Sequence, residues 1–449
     1  MEGQRWTVED ADAPTAPDPL PRPYLVRALS CSRPAMTPSR WSLSGVVDVV
    51  ISGKGPSSAT RAGTLGIACN DLSASSPHAT LRRSSGCWFV EDLGSKNGTT
   101  VNGERVSRRQ LADGDLIETG NTAWWFRELT TGAPTPDVAA PDLTASFVTL
   151  HAPLEAAVTR GVAAFVAGLP VLVEGEPGVG KERLVAAVHA RSRRPGALIA
   201  VSCAALPDAL VEDALFGHRR GVLAGAAEER TGHILAADRG TLFLDEIGDL
   251  TPVAQAALLR VITERSVTPV GDRWPIPVDL AVVSATHRDI HAMVKAGMFS
   301  AELFARLRGV ALWIPPLRDR REDIGMFIAR TIAHVAPGAT LQPDAARRLL
   351  MADWPANVRE LERVVAAAVL RAGTRAIAPS DLESMAPRPP AAALPMAWSQ
   401  AESALRARLV NALASHDGSI SAVARELSCD RKQVHRWITR FAIDLRDPR

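Results

Sequence analysis

Residues 171–182 read Val171-Leu172-Val173-Glu174-Gly175-Glu176-Pro177-Gly178-Val179-Gly180-Lys181-Glu182, and this stretch decides the fold of the middle of the chain. Three apolar residues predict a short strand, a glycine-rich turn follows, and Arg183 to Ser192 predicts a helix. Glycines let backbone N–H groups close around phosphate oxygens. The helix N-terminus adds a favourable dipole, and Lys181 reaches the β- and γ-phosphates. An ordinary glycine-rich turn is the competing reading, and the flanking strand and helix weigh against it. Position 182 carries Glu where the general motif has a Ser or Thr hydroxyl for magnesium. Leu242-Phe243-Leu244-Asp245-Glu246 compensates, as an apolar strand that delivers two carboxylates further along. Asp245 is expected to hold Mg2+ through water and Glu246 to polarise the attacking water, whereas the bland alternative is a strand ending in solvated acids. These residues predict a nucleotide triphosphatase.

Outward from the loop, Leu198 to Val201, Leu242-Phe243-Leu244 and Leu280 to Val283 alternate with helical stretches, which implies a parallel sheet with helices on its faces. Breaks in composition divide the rest. Residues 1–22, rich in acids and proline, are expected to be a disordered tail. Proline and small residues mark linkers at 130–142 and 386–398. Three blocks remain: 23–129, 143–385 and 399–449.

The middle block resembles the AAA+ domain of bacterial enhancer-binding proteins, the sigma-54-dependent transcriptional activators. The resemblance rests on Gly175 to Glu182, Leu215-Phe216-Gly217-His218, Gly240 to Leu250, Pro275-Ile276-Pro277-Val278-Asp279, Pro315-Pro316-Leu317-Arg318-Asp319-Arg320 and Trp354-Pro355-Ala356-Asn357-Val358-Arg359-Glu360-Leu361, in family order. It implies an α/β P-loop ATPase subdomain over 143–315 and a helical lid over 316–385, with ATP and Mg2+ as cofactors. Gly175, Glu176, Pro177, Gly178, Val179, Gly180, Lys181 and Glu182 match the nucleotide-binding loop. Arg306 matches the arginine finger given to a neighbouring subunit's nucleotide, and Arg359 the lid arginine that senses nucleotide within one subunit. A finger in trans makes hydrolysis depend on assembly, and the resemblance implies self-association from dimer to hexamer. The alternative for either arginine is a surface salt bridge.

Departures from the family pattern sit at informative places. Ser300 replaces a second arginine beside the finger. Ser202 replaces the Asn that reports nucleotide state to the catalytic Glu, and a hydroxyl still hydrogen-bonds but with shorter reach. His287 replaces another sensing Asn. The loop that engages the sigma factor, Gly-Ala-Phe-Thr-Gly-Ala in the family, is Gly221-Val222-Leu223-Ala224-Gly225-Ala226 here. Its glycines remain, while the aromatic ring has become Leu223 and the hydroxyl Ala224. Contact with sigma-54 RNA polymerase is therefore expected to be weakened, altered or absent, although an apolar tip can still dock on a hydrophobic surface.

The last block predicts an all-α module. Ser419 to Leu427 predicts a short helix, Ser428-Cys429-Asp430 a turn with Asp430 as N-cap, and Arg431 to Phe441 a second helix. This is helix-turn-helix spacing. Residues 399–449 carry nine basic and six acidic side chains, a local +3. Arg431, Lys432, Gln433, His435 and Arg436 begin the second helix, where side chains reach major-groove base edges or phosphates. A plain helical hairpin with a solvated basic face is the alternative. The block also resembles the Fis-type DNA-binding domain that ends the same activators, which implies promoter or enhancer DNA as partner and dimeric recognition of a palindrome.

The first block predicts β structure, with apolar runs such as Cys87-Trp88-Phe89-Val90 and the tight-turn dipeptides Asn97-Gly98 and Asn102-Gly103. Gly63-Thr64-Leu65-Gly66-Ile67, Ser75-Ser76-Pro77-His78-Ala79 and Trp88 to Gly103 resemble a forkhead-associated (FHA) domain. That implies a β-sandwich whose loops bind phosphothreonine proteins, with Ser75 and Asn97 as phosphopeptide residues and His78 as a buttress. The family arginine is Ile67 here, and the basic residue after Ser75 is Ser76. Arg61, Lys96 and Arg82 are the nearby cations. A structural or dimerising sandwich stands beside the sensing role.

Composition bounds the whole. The chain has 449 residues, 51 basic against 49 acidic, for a net charge of +2. That excludes one continuous nucleic-acid surface but leaves room for a basic module. Cys31, Cys69, Cys87, Cys203 and Cys429 are scattered, which argues against a disulfide framework and fits a reducing compartment. With no long apolar run, a cytoplasmic protein without a membrane partner is expected. The leading expectation is a transcriptional regulator that spends ATP in a ring to remodel sigma-54 RNA polymerase. A sigma-54-independent regulator or repressor is the first alternative, and a phospho-signalling scaffold with a vestigial ATPase the second.

Overall fold

Five parallel strands form the central sheet, in the order Leu198–Ser202, Thr241–Asp245, Ala281–Thr286, Val171–Glu174 and Val310–Trp313. The computed structural model describes residues 22–129 except 37, 56 and 57; 137–138; 145–385 except 207–210 and 220–228; and 408–426 except 411, 414 and 417–419. Because side chains alternate along a strand, the sheet is apolar on both faces. Leu172 joins Leu242 and Leu244 in one core, whereas Val171 and Val173 join Phe243 and Val283 in the other. Helix Lys181–Ser192 follows the first strand, and its Leu184, Val185 and Val188 are fully buried in the second core. Helices Ile324–Val335, Pro343–Met351 and Asn357–Ala372 make up the lid; the last two each bury one apolar stripe, whereas the first is buried all round at Ile324 to Ala329.

Residues 22–129 form two six-stranded sheets packed as a sandwich. One runs Ser39–Ser42, Arg22–Ser30, Thr122–Leu129, Asp115–Thr119, Thr99–Val101, Glu104–Val106; the other Arg108–Gln110, Cys87–Asp92, Ala79–Ser84, Asp48–Ser52, Thr64–Ala68, Ser58–Arg61. Their inner faces bury Leu25, Ile51, Ile67, Trp88, Trp124 and Phe126 in one core. Asn102-Gly103 is a two-residue hairpin loop with φ of +53° and +85°, the conformation that suits this dipeptide. Of the stretch 130–142, Val138 exchanges backbone hydrogen bonds with Arg40 at 2.8 and 2.9 Å, lying alongside the sandwich edge.

Met1–Glu383 forms one compact unit and Ser384–Arg449 a second. In the first, sandwich and α/β domain touch closely: a Cβ on Gly325 would lie 1.8 Å from Ala28 O, so only glycine lets the lid helix reach strand Arg22–Ser30. The second unit contains helix Ile420–Glu426, with Val423 and Ala424 buried, and His416 Nε2 lies 2.7 Å from Glu426 Oε2. The second helix read from the sequence, with Arg431, Lys432, Gln433, His435 and Arg436, lies outside the described residues. So does the loop Gly221 to Ala226. No helix among the described residues is long and apolar enough to cross a membrane.

Candidate nucleotide site

The strand-to-helix turn after Val171–Glu174 opens onto a cavity of about 240 Å3 between sheet and lid. Pro177 to Glu182, Asp245, Glu246 and Arg359 line it, as the sequence anticipates. Lys181 is buried and donates to Gly175 O at 3.0 Å, and its Nζ lies 3.2 Å from Glu246 Oε1. Glu246 has φ of +54°, a conformation costly for a side chain with a Cβ, and such strain clusters where chemistry is done. Its Oε2 lies 2.6 Å from His287 Nδ1 and accepts from His287 N at 3.1 Å.

Electrostatics separate the two neighbouring acids. Burial pushes Asp245 above the ordinary carboxylate value, and the Glu246 and Glu182 carboxylates push it further. Burial acts the same way on Glu246, but the His287 ring and the Lys181 ammonium outweigh it and hold that carboxyl low. Three carboxylates facing one cavity, each a hard oxygen donor, fit Mg2+ held largely through water.

Glu176 and Gly175 lie behind the cavity rather than in its lining. Glu176 accepts from Arg318 at 2.6 and 3.1 Å and from Asn357 Nδ2 at 3.0 Å, tying the phosphate loop to the lid. Arg318 first, then Asn357, hold its carboxyl below the usual range. Val358 N donates to Gly178 O at 3.1 Å, and a Cβ on Gly178 would meet Ala356 O at 2.4 Å. Fully buried Arg320 donates to Val179 O at 2.6 Å.

Ser202 pairs in register with Asp245, but no hydrogen bond joins it to Glu246 among the described residues. His287 makes that contact instead. Arg306 is exposed on helix Ala301–Leu307, outside the cavity and without an ion pair among the described residues. Ser300 caps that helix, accepting from Leu303 N at 3.2 Å. The cavity is also lined by residues that no local motif signals, the apolar Phe147, Met326 and Phe327 and the charged Arg183, Arg330 and Glu362. Arg183 bridges to Glu362 at 2.9 Å, from phosphate-loop helix to lid helix.

On the sandwich, Ser75 and Asn97 are both engaged within the loops. Ser75 Oγ accepts from Lys96 N at 3.1 Å, and Asn97 Nδ2 donates to Ser73 O at 2.7 Å. Buried His78 accepts from Ser75 N through Nδ1 and faces Gly98 O at 3.1 Å through Nε2, a pair of partners that assigns the ring proton to Nε2. Ile67 is 1% exposed, so the expected arginine position belongs to the core. Arg82 pairs with Asp48 at 2.9 Å.

Family comparisons match the sigma-54 interaction domain over residues 149–313, the AAA+ ATPase lid domain over 318–393 and the FHA domain over 61–120. The chain is similar to the anaerobic nitric oxide reductase transcription regulator NorR of Salmonella agona, 40% identical over 296 residues that make up 61% of this chain and 58% of the relative. It is similar to the transcriptional regulatory protein ZraR of Escherichia coli K12, 39% identical over 284 residues, 60% of this chain and 63% of the relative. The hydrogenase transcriptional regulatory protein HoxA of Cupriavidus necator is 45% identical over 208 residues, 45% of this chain and 43% of the relative. The chain thus spans less than two thirds of the length of these curated relatives.

Proposed function

We propose that this chain is a DNA-binding transcriptional regulator whose AAA+ ring binds and hydrolyses ATP to remodel sigma-54 RNA polymerase at promoters. One observation carries the reading: Lys181, Asp245, Glu246 and Arg359 converge on a single cavity, within a stretch that matches the sigma-54 interaction domain and its lid. Backbone N–H groups of Gly178 to Lys181 would cradle the phosphates and Lys181 would neutralise them. Mg2+, when bound, neutralises charge on the β- and γ-oxygens. Asp245 would hold its water shell. Glu246, kept ionised and aimed by His287, would orient the attacking water. Arg359 would sense the γ-phosphate from the lid, and a neighbour's Arg306 would complete the site, making turnover depend on assembly from dimer to hexamer.

DNA contact is assigned to Arg431, Lys432, Gln433, His435 and Arg436 by their helix-turn-helix spacing. Loss of specific binding in an Arg431→Ala, Arg436→Ala double variant that still binds ATP would support this, and unchanged binding would refute it. The sandwich is an input domain in this reading. Its Ser75 hydroxyl and Asn97 amide keep further hydrogen-bonding capacity, but its arginine is the buried Ile67, which places a structural or docking role beside phosphothreonine sensing.

Composition of the sigma-contact loop favours a second reading, a regulator that keeps ATP-driven assembly without sigma-54, because Leu223 and Ala224 lack the ring and the hydroxyl. Hydrolysis that rises cooperatively with protein concentration and vanishes in Lys181→Ala supports the ring. A complex with sigma-54, trapped by a transition-state ATP analogue, supports the first reading. Its absence in the wild type, with gain in Ala224→Thr, supports the second.

A further inference from the structure

Both walls at the apolar end of the nucleotide cavity are gripped from the sandwich. One wall is segment 146–148, which contributes Phe147. Immediately after it, Thr149 Oγ1 and Leu150 N donate to Asp323 at 2.7 and 2.6 Å, and Arg40 of the sandwich donates to Leu150 O at 2.8 Å. The other wall is the first turn of helix Ile324–Val335, with Met326 and Phe327. Glu322, two residues ahead of that helix, accepts from Tyr24 OH at 2.9 Å and from Arg127 Nη1, both in the sandwich, and meets His151 Nδ1 at 2.8 Å. Arg320 completes the path, facing Asp323 at 3.4 Å and donating to Val179 O in the phosphate loop at 2.6 Å. Arg40, Arg320, Glu322 and Asp323 are all 0% exposed. Water cannot replace a lost partner at such depth, so removing one leaves a buried charge unpaired and shifts its neighbours.

We infer that the sandwich is a working part of the nucleotide site: Tyr24, Arg40 and Arg127 are positioning residues that, through Glu322, Asp323 and Leu150, set the Phe147 and Phe327 walls and the phosphate loop. The inference rests on the nucleotide reading of the cavity. Coupling of this kind is reciprocal. Any partner of the sandwich that displaces Tyr24 or Arg127 lowers nucleotide affinity, and bound nucleotide opposes that partner by the same factor.

Titration of the full chain with a fluorescent ADP analogue tests it. Tyr24→Phe removes one hydroxyl with little change in packing, and Arg127→Ala removes a charge-assisted contact. Each is expected to weaken binding about tenfold, the effect of one such bond fully coupled to the site. Tyr24→Phe combined with Glu322→Gln is expected to be less than additive. A tie that merely holds the domains together would lower thermal stability and leave affinity alone. Tyr24→Phe carries the measurement if Arg127→Ala does not fold. Wild-type affinity in the sandwich variants, with binding lost in Lys181→Ala, overturns this inference and leaves the cavity reading standing. Wild-type affinity in Lys181→Ala overturns both.

Discussion

His287 supplies Glu246 with two contacts to one oxygen, from its ring at 2.6 Å and its backbone N–H at 3.1 Å. Ser202, the other residue in line for that task, makes no hydrogen bond to Glu246 among the described residues. Removing the ring should therefore alter how the attacking water is oriented rather than how nucleotide is held, because His287 is outside the cavity lining. His287→Ala is expected to lower kcat about tenfold with little change in KM, the pattern of an interaction used only in the transition state. His287→Asn keeps a donor at that position and is expected to retain most of the rate. Steady-state hydrolysis of ATP distinguishes them, and equal losses in Ala and Asn would sink this role for the ring. Legibility at this scale was uneven for a physical reason. Lys181, Asp245 and Glu246 announce themselves because a phosphate loop and an acid-tipped strand are local patterns. That His287 rather than Ser202 contacts Glu246 depends on how the two strands flanking Thr241–Asp245 present their ends, which spacing does not encode.

At the scale of elements, the lid is locked to the phosphate loop through Asn357. This residue is fully buried with φ of +58°, accepts from Leu317 N at 2.8 Å, and donates to Glu176 Oε2 and Pro177 O at 3.0 and 3.1 Å. Asn tolerates the left-handed conformation that Ala does not. Asn357→Ala is expected to cost about 3 kcal/mol, since it loses buried hydrogen bonds and adds backbone strain. Asn357→Gly loses the same bonds without the strain, and should recover about 1 kcal/mol of that. Urea unfolding of the two variants checks the order, and Gly at or below Ala would refute the strain component. The second element-scale device is Glu322. Burial would raise its carboxyl, but the His151 hydrogen bond and the Arg127 charge outweigh that and bring it from the ordinary 4.5 down to about 2. A carboxylate lowered on folding binds fewer protons in the native state. Its stabilisation is therefore complete above about pH 4.5 and is lost as pH falls toward 2. Asp323 beside it is raised by burial and works in the opposite sense, so the comparison must isolate Glu322. The stability gap between wild type and Glu322→Gln should narrow on acidification, and a gap independent of pH would contradict the assignment. Sequence patterns found the elements here because strand and helix periods are local. The Tyr24–Glu322 bond, which spans 298 residues, leaves no such trace.

For the whole molecule, breaks in composition suggested three blocks but not how the first two relate. Sandwich and α/β domain share buried charges within one compact unit, and Gly325 admits strand Arg22–Ser30 to within contact of the lid helix. What remains unpartnered within that unit is informative. Arg306 stands exposed outside the cavity of its own subunit, with no ion pair among the described residues, on a helix capped by Ser300. An exposed guanidinium without an ion pair is free to reach a site on another copy of the chain, which is the role proposed for it. If Arg306 works in trans, Arg306→Ala should bind nucleotide normally and hydrolyse almost none, while Lys181→Ala should fail at binding. Mixing the two dead variants is then the decisive measurement. An Arg306→Ala subunit keeps an intact phosphate loop, and a Lys181→Ala neighbour offers it a finger. Random assembly of equal amounts makes roughly a quarter of the interfaces competent, so hydrolysis should reappear at roughly that fraction of wild type. A finger acting within its own subunit cannot give this result, since no chain in the mixture carries both residues. Silence from the mixture, with assembly of both variants verified, would rule out a finger in trans, and undiminished hydrolysis by Arg306→Ala alone would leave Arg306 a surface arginine.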